Sequence, residues 1–522
     1  MSFPPLAGLF VTHFDDIKGQ SIVFYVSSDS KALPAGTIEH SSLPSGLHAL
    51  SSDLVFFRHY DRLCVGLFRS RDVTGQGSGR GRRMGTVGVI LEEDRPEDLF
   101  QLKKPLEEVY DHLENLSSNP FLDEENENEN EDEVEDGENE GLIGKGRRKT
   151  YLDDLWDKYR AKEGRLRGPK EGESVRRLVD GRTHPPASHP IAYMTSLLNL
   201  LGPDIIPLYK AAISGKRILI YSPPPLLPLA AFAWLVTAMS LPPAISPAGA
   251  TLSMWLGNVG LMDLTELKQR KGAWVATTSD AIFKSHATIW DVYLDLSSSP
   301  PTLFTPATSP RPLTYTFGDL PLYRSLLLLR ASPAQVTVAS HLTRTGGAWL
   351  VAFELFERVW RLCVGMCEYA IGRGRVIGDH DISLEDDDLT LEDGEEDARV
   401  LVGDDIEDAV DEEEEEEEDQ GGYNEEDRLL PGDEAEEQRD EAVRTGRLVL
   451  KQLWHNSYHL YATLSNVRRK SGREESEELS EAELRELVGG KWFGNIQETE
   501  KAIFWRNLAN TWRITADEDE QD

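Results

Sequence analysis

Cysteine is scarce: Cys64, Cys363 and Cys367 are the three in 522 residues. Three thiols cannot build a disulfide framework, which excludes a bridge-stapled scaffold and fits a reducing compartment. The opening MSFPPLAGLFVTH has no basic segment and turns polar at Asp15, Asp16 and Lys18, so it does not read as a signal peptide. The one membrane candidate, Leu226 to Leu241, is shorter than the roughly 20 apolar residues a bilayer needs. It also carries Pro228 and reads as a buried helix.

Catalytic signatures are missing as well. No G-x-S-x-G sequence occurs, and no serine, cysteine or histidine set nominates a triad. The glycine-rich loop Gly75–Arg83 (GQGSGRGRR) fails the spacing of both the P-loop and the dinucleotide fingerprint, and reads as a hairpin loop. Cys363 and Cys367 share a helix face, but a zinc site would need two further ligands, and they read as small core residues. His184 and His189 sit between prolines. Asp280 and Asp291 border apolar strands, where turn and cap roles outweigh catalytic ones. The expectation is no catalytic residue, no metal, no cofactor and no small-molecule substrate.

Net positive charge is absent, since the formal charge is -37. It is concentrated, however. Residues 123–140 hold 12 acidic and no basic residues, and residues 385–441 hold 31 acidic and 3 basic, which leaves the rest of the chain near +3. Both segments have too little apolar content to offset their ordering entropy and are expected to be disordered inserts. Their acidity argues against nucleic acid as a partner. The basic run Lys145, Arg147, Arg148 and Lys149 follows the first of them, so neighbouring acids compete for its charge.

What is present is α/β patterning. Leu9–His13 and Ser21–Val26 read as a hairpin, Leu54–Tyr60, Arg62–Ser70 and Met84–Leu91 as three more strands, and Leu99–Leu116 as a helix. Later comes LLNLLGPDIIPLYKAAISGKRILIYSPPP, residues 197–225. Its apolar residues follow one broad helical face, Gly215 stops the helix, Ile218–Tyr221 forms a buried strand and three prolines close it. Leu226–Ser240 adds a helix, and the order helix, strand, helix, strand argues for a sheet covered on both faces, while AWVATTSDAIF and TIWDVYLDL alternate as half-buried strands do. Residues 297–319 read as a loop. Helical spacing returns in Asp319–Arg330, Ala348–Tyr369, Val443–Ser465 and Glu481–Trp512.

These stretches resemble the longin and DENN group of proteins, in its LCHN and Avl branch with the related fungal proteins. FVTHFDDIKGQSIVFYV is similar to the opening strands of the longin module, and LPSGLHALSSDLVFFRHYDRLCVGLFRSRD to its next strands. The stretch 197–225, then GNVGLMDLTELKQRKGAWVATTSDAIF and IWDVYLDL, resembles the DENN module, with Ala276 where many relatives carry cysteine and Trp290 where many carry tyrosine. The resemblance implies a longin-like domain at 6–116, an acidic and basic disordered linker at 117–189, and a DENN-type α/β domain at 190–380. A disordered acidic insert at 381–441 and a helical part at 442–515 packing on the DENN domain complete the expected order. It further implies a cytoplasmic trafficking protein, with room for peripheral attachment to endomembranes. Such a protein binds a Rab-type small GTPase and exchanges its nucleotide without covalent chemistry. The alternative is a non-exchanging scaffold whose acidic inserts recruit basic partners. Lys216 and Arg217 are the candidate partner-binding residues.

Overall fold

Five apolar, β-rich runs pair into one antiparallel sheet: β1 (Leu6–Asp15), β2 (Gly19–Ser27), β3 (Ser52–His59), β4 (Arg62–Asp72) and β5 (Arg82–Leu91), in the order β2-β1-β5-β4-β3. The computed structural model describes residues 3–15, 17, 19–72, 82–116, 140–161, 172–186, 188–241, 253–306, 311–330, 432–471, 479–489 and 498–512. One face of this sheet is held by α1 (Ile38–Ser42), whose Ser42 Oγ lies 2.8 Å from Thr12 Oγ1 and whose Ser42 carbonyl accepts from Thr86 Oγ1. After the short α2 (Pro96–Leu99) comes α3 (Lys103–Leu116), which buries Leu106, Val109, Tyr110 and Leu113. That spacing makes one helical face. Arg69 of β4 lies 4.6 Å over the Tyr110 ring.

The disordered linker expected at 117–189, with room for short helices at 151–182, is corrected to one that contains α4 (Glu140–Tyr159) and α5 (Glu173–Val179). High charge obscured a real apolar face: Leu152, Leu155 and Trp156 are buried at helical spacing. Tyr151 meets His112 of α3, Tyr159 meets Phe3, and Arg160 bridges to Leu6.

The second half begins with α6 (Met194–Leu201) and α7 (Ile205–Ile213). The single helical face expected from 197 onward is broken by the tight turn Gly202–Asp204, where Gly202 adopts φ +53° and Pro203 cannot donate. Gly215 ends α7 as expected. With φ +69° it lets its own N–H reach Ala212 O and that of Lys216 reach Ala211 O, the paired closure of a Schellman motif. Then come β6 (Arg217–Tyr221), α8 (Leu226–Met239), β7 (Met254–Asn258), α9 (Leu264–Gln269), β8 (Trp274–Thr278) and β9 (Val292–Asp295). The sheet order is β11-β10-β9-β6-β8-β7, with β9, β6, β8 and β7 parallel. The expected loop at 297–319 is corrected to include the short antiparallel strands β10 (Thr302–Thr305) and β11 (Arg311–Pro312). Among the described residues of β10, Leu303 alone is buried, so the sequence offered little alternation to read.

Strand alternation splits this sheet into two apolar faces. Ile218, Ile220, Val275, Val292 and Leu294 join the main core, in which α8 is buried along nearly its whole length. Leu219, Trp274, Ala276 and Tyr293 point the other way, into a second cluster with Phe283 and Trp290. α8 is therefore an interior helix. The chain continues in α10 (Leu320–Arg330), α11 (Gly432–Ser471), α12 (Glu481–Val488) and α13 (Glu498–Thr511). Tyr209 OH of α7 lies 2.6 Å from Ser457 Oγ and donates to Leu453 O at 3.0 Å, while Trp454 Nε1 donates to Ala238 O. These bonds seat α11 on α7 and α8. α11 starts at Gly432, inside the acidic insert expected to run to 441. Glu, Ala, Gln and Arg are good helix formers, so a helix anchored from Val443 onward propagates backward through them. The helix expected at 348–369, with Cys363 and Cys367, lies outside the described residues.

The two sheets meet edge to edge, β3 against β7. Phe56 and Phe100 stack at 4.6 Å and Trp255 packs across them, with its ring 6.2 Å from that of Phe56. All three are fully buried, and burying an apolar side chain of this size contributes about 1.5–3 kcal/mol by area. The polar links set orientation instead. Arg58 Nε donates to Trp255 O at 2.6 Å, Arg270 donates to Asp61 Oδ1 at 2.6 Å, and Asp53 Oδ2 accepts from Leu226 N at 2.6 Å. The last bond caps α8, whose preceding residue Pro225 offers no side-chain cap. Burial pushes the Asp53 carboxyl up, although its backbone donors work against that.

Gly257 makes the approach possible. It occupies a bulge in β7 with φ +73°, and a Cβ there would lie 2.6 Å from Phe56 O and 2.9 Å from Phe57 Cα. Gly257→Ala is expected to destabilise the protein by about 2–4 kcal/mol, combining left-handed strain with overpacking; the shift in urea midpoint checks it. A second prediction concerns β6 and β9. Arg217 holds Asp291 by Nη2 at 2.9 Å, Nε at 3.2 Å and its backbone N at 2.9 Å. Burial alone would raise the Asp291 carboxyl, but the hydrogen bonds and charge of Arg217 outweigh it and hold it below the usual carboxylate range. A depressed folded pKa gives stability that is present above the unfolded value and lost as pH falls through the folded one. Asp291→Asn should therefore cost about 1 kcal/mol at neutral pH. The melting-temperature gap to the unaltered chain should stay constant above about pH 5 and close below it, as followed by circular dichroism.

Candidate protein-docking surface

Four parallel strands all deliver their C-terminal ends to one rim, the edge where α/β sheets commonly place their binding crevices. The turns that leave this rim are the 3-10 turn Leu261–Asp263 after β7, Ser222–Pro225 after β6, the 3-10 turn Ala281–Ser285 after β8, and 296–300 after β9. The first sheet reaches the same place. Ser279 Oγ donates to Ser45 O at 3.0 Å, Ser45 Oγ donates to Asp280, and Gly46, at φ +91°, turns the backbone beside Pro224. The rim is thus built by both sheets.

Three large apolar side chains stand exposed on it among polar neighbours such as Lys284 and Ser285. Leu261, Met262 and Ile282 are 48%, 61% and 51% exposed, on turns three to four residues beyond the strand ends. These turns are pinned from below. Asp263 Oδ2 accepts from Gly260 N at 2.8 Å, and Thr278 Oγ1 donates to Val259 O at 2.9 Å. Asp295 accepts from Ser297 N, Ser297 Oγ and Lys284 Nζ, while Lys284 sits 4.4 Å over the Phe304 ring. Burial would raise the Asp295 carboxyl, but the Ser297 and Lys284 hydrogen bonds prevail and keep it below the ordinary range. Exposed apolar groups on turns already ordered lose little further freedom when a partner covers them, which favours binding.

The other sequence candidates fall elsewhere. Lys216 and Arg217 lie at the opposite, N-terminal end of β6, with Arg217 engaged by Asp291 and Lys216 half-exposed. Asp280 precedes a 3-10 turn and accepts from Ser45, a structural role like that of Asp291. His189 is buried and its Nδ1 accepts from Ile191 N, and burial pushes its pKa down to about 4, so it serves as a neutral cap. Burial pushes the Cys64 thiol up, away from reactivity. Of the arginine-rich loop, residues 73–81 lie outside the described ones. Among its described neighbours, Arg71 and Arg83 face Glu114, Arg69 faces Asp111 and Glu114, and Arg82 faces Asp72. The basic run 145–149 belongs to α4. Among the described residues, no group of three or more His, Cys, Asp or Glu gathers as a metal site.

Sequence reading did not single out Leu261, Met262 or Ile282. The pair Leu261–Met262 lies between Gly260 and Asp263 in a turn, but an apolar residue in a turn can face either way, as buried Phe283 beside exposed Ile282 shows.

A family profile described as DENN domain-containing protein 11 matches residues 9–302. The chain is 26% identical over 309 residues to the Uncharacterized protein ANR2 of Saccharomyces cerevisiae, covering 57% of this chain and 58% of that protein. It is 24% identical over 298 residues to the DENN domain-containing protein 11 of Rattus norvegicus, covering 56% and 57%. Against the protein of that description from Xenopus laevis it is 26% identical over 298 residues, covering 56% and 59%. The chain thus spans less than two thirds of the length of these relatives. The matched region contains both sheets from β1 onward and extends to the first residue of β10. With more than half of its residues matched, the chain belongs to the DENN domain-containing protein 11 family.

Proposed function

We propose that this protein binds a Rab-type small GTPase across the two-sheet rim and accelerates release of the GTPase's bound nucleotide. DENN membership supplies the partner class. The observation that carries the reading is the rim itself, where Leu261, Met262 and Ile282 stand exposed on pinned turns beside the Ser45–Gly46 turn of the other sheet. Exchange makes and breaks no covalent bond. It requires a surface that binds the nucleotide-free conformation more tightly than the nucleotide-bound one, so that binding energy shifts the partner's equilibrium. A rigid rim suits that task, because it does not deform to accept both conformations equally. We place the chain with the LCHN and Avl branch and its fungal members, acting in the cytoplasm with peripheral attachment to endomembranes. The longin-like opening strands and the yeast relative support that placement.

A panel of purified Rab proteins loaded with fluorescent GDP tests the proposal. Acceleration of GDP release for at least one member by about tenfold or more is expected, equal to about 1.4 kcal/mol of barrier. Binding without acceleration for every member would instead assign a non-exchanging scaffold. Met262→Arg and Ile282→Arg should each weaken binding at least about tenfold. As exposed substitutions they should shift stability by no more than about 0.5 kcal/mol. Lys216→Glu leaves the Arg217–Asp291 pair in place and tests the other end of the strand. Lost GTPase binding in a folded protein would extend the interface there, and unchanged binding would confine it to the rim.

A further inference from the structure

The exposed side of α11 carries two histidines one turn apart, His455 and His459. Residues four apart share a helix face, and these rings turn toward each other. Their Nε2 atoms are 2.9 Å apart, and the ring centroids are 4.4 Å apart with planes crossed at 82°. The backbone beneath them is fixed. Leu453, Asn456, Ser457 and Leu460 are buried between and around them, and Ser457 meets Tyr209 in the core. The sequence carries the signal as H-x-x-x-H at 455–459, which corrects the expectation that no spaced histidine pair accompanies Cys363 and Cys367.

A neutral pair shares one hydrogen bond in this arrangement, but the geometry has a second use. Two metal–nitrogen bonds of about 2.05 Å enclosing a right angle put their nitrogens about 2.9 Å apart, whereas a tetrahedral angle puts them about 3.3 Å apart. The observed separation matches the right angle of a tetragonal or octahedral ion. We propose that His455 and His459 form a solvent-open bidentate site for a divalent transition-metal ion, with Cu²⁺ and Ni²⁺ held more tightly than Zn²⁺. Imidazole nitrogen suits these ions, tetragonal geometry selects the first two, and intrinsic affinity for nitrogen ligands rises to Cu²⁺ and falls at Zn²⁺. Each ring would carry its proton on Nδ1 and offer the Nε2 lone pair, with water in the remaining positions.

The many carboxylates of this chain hold cations through oxygen, so the test must see nitrogen. The full chain is titrated with one equivalent of CuCl₂. Electron paramagnetic resonance should show coupling to two imidazole nitrogens, and competition with a chromophoric chelator measures affinity. His455→Ala and His459→Ala should each reduce the coupling to one nitrogen and weaken binding on the order of a hundredfold, the low end of the gain from linking two sites. Far-UV circular dichroism confirms that each variant is folded. His455→Ala combined with Thr463→His, which rebuilds the four-residue spacing one turn along the exposed face, should recover two-nitrogen coupling. Copper held as tightly by the single variants as by the unaltered chain, or spectra of oxygen ligation alone, would overturn the proposal.

Discussion

Two sheet edges are pressed together in this protein, and the close approach of Gly257 to the backbone of Phe56 and Phe57 is the contact on which the rest depends. Free edge strands are hazards because their unpaired backbone groups recruit other chains. Here β3 and β7 each end a sheet, and each shields the other. The aromatic group of Phe56, Phe100 and Trp255 supplies most of the attraction, and the bonds of Arg58, Arg270 and Asp53 fix the angle. Without the glycine the backbones would stand apart, and neither the aromatic packing nor those bonds could form together.

That seam is what makes a composite rim. Ser45 and Gly46 reach Ser279, Asp280 and Pro224 only because the sheets are locked at the far side of the same contact. The exposed apolar residues of the second sheet are thereby set beside a turn of the first. Three side chains with perturbed ionisation brace the frame. Asp291 clamps two strand starts, Asp295 staples a turn, and His189 caps a helix. Each has its partners inside the chain, so its charge or lone pair is spent on holding shape.

Much of the architecture was legible in the residues. The five β-rich runs of the first sheet and the Ile218–Tyr221 strand fold where their apolar content places them, whereas β8 and β9, whose alternation reads as half-buried, are buried on both faces. Three features resisted. The face of α4 was hidden by its charged neighbours, β10 and β11 are too short to show alternation, and Gly202 with Pro203 divides a helix whose apolar spacing continues across the break. The rim was harder still. Ile282 and Phe283 are adjacent apolar residues, yet Ile282 is half exposed and Phe283 fully buried. One-dimensional patterns carry no record of which side of a turn meets solvent, so an exposed apolar residue is written in the same letters as a core one.

Asp53 belongs to one sheet by sequence and to the other by function. Its Oδ1 accepts from Leu54 N within its own strand, and its Oδ2 closes the start of a helix 173 residues away. An excised first sheet would keep a sequestered carboxylate with half its donors missing, and an excised second half would carry an uncapped interior helix. The two halves cannot be shuffled into new contexts separately at no cost. They are best regarded as one heritable part, for which a boundary drawn between them by composition marks a crease and not a cut.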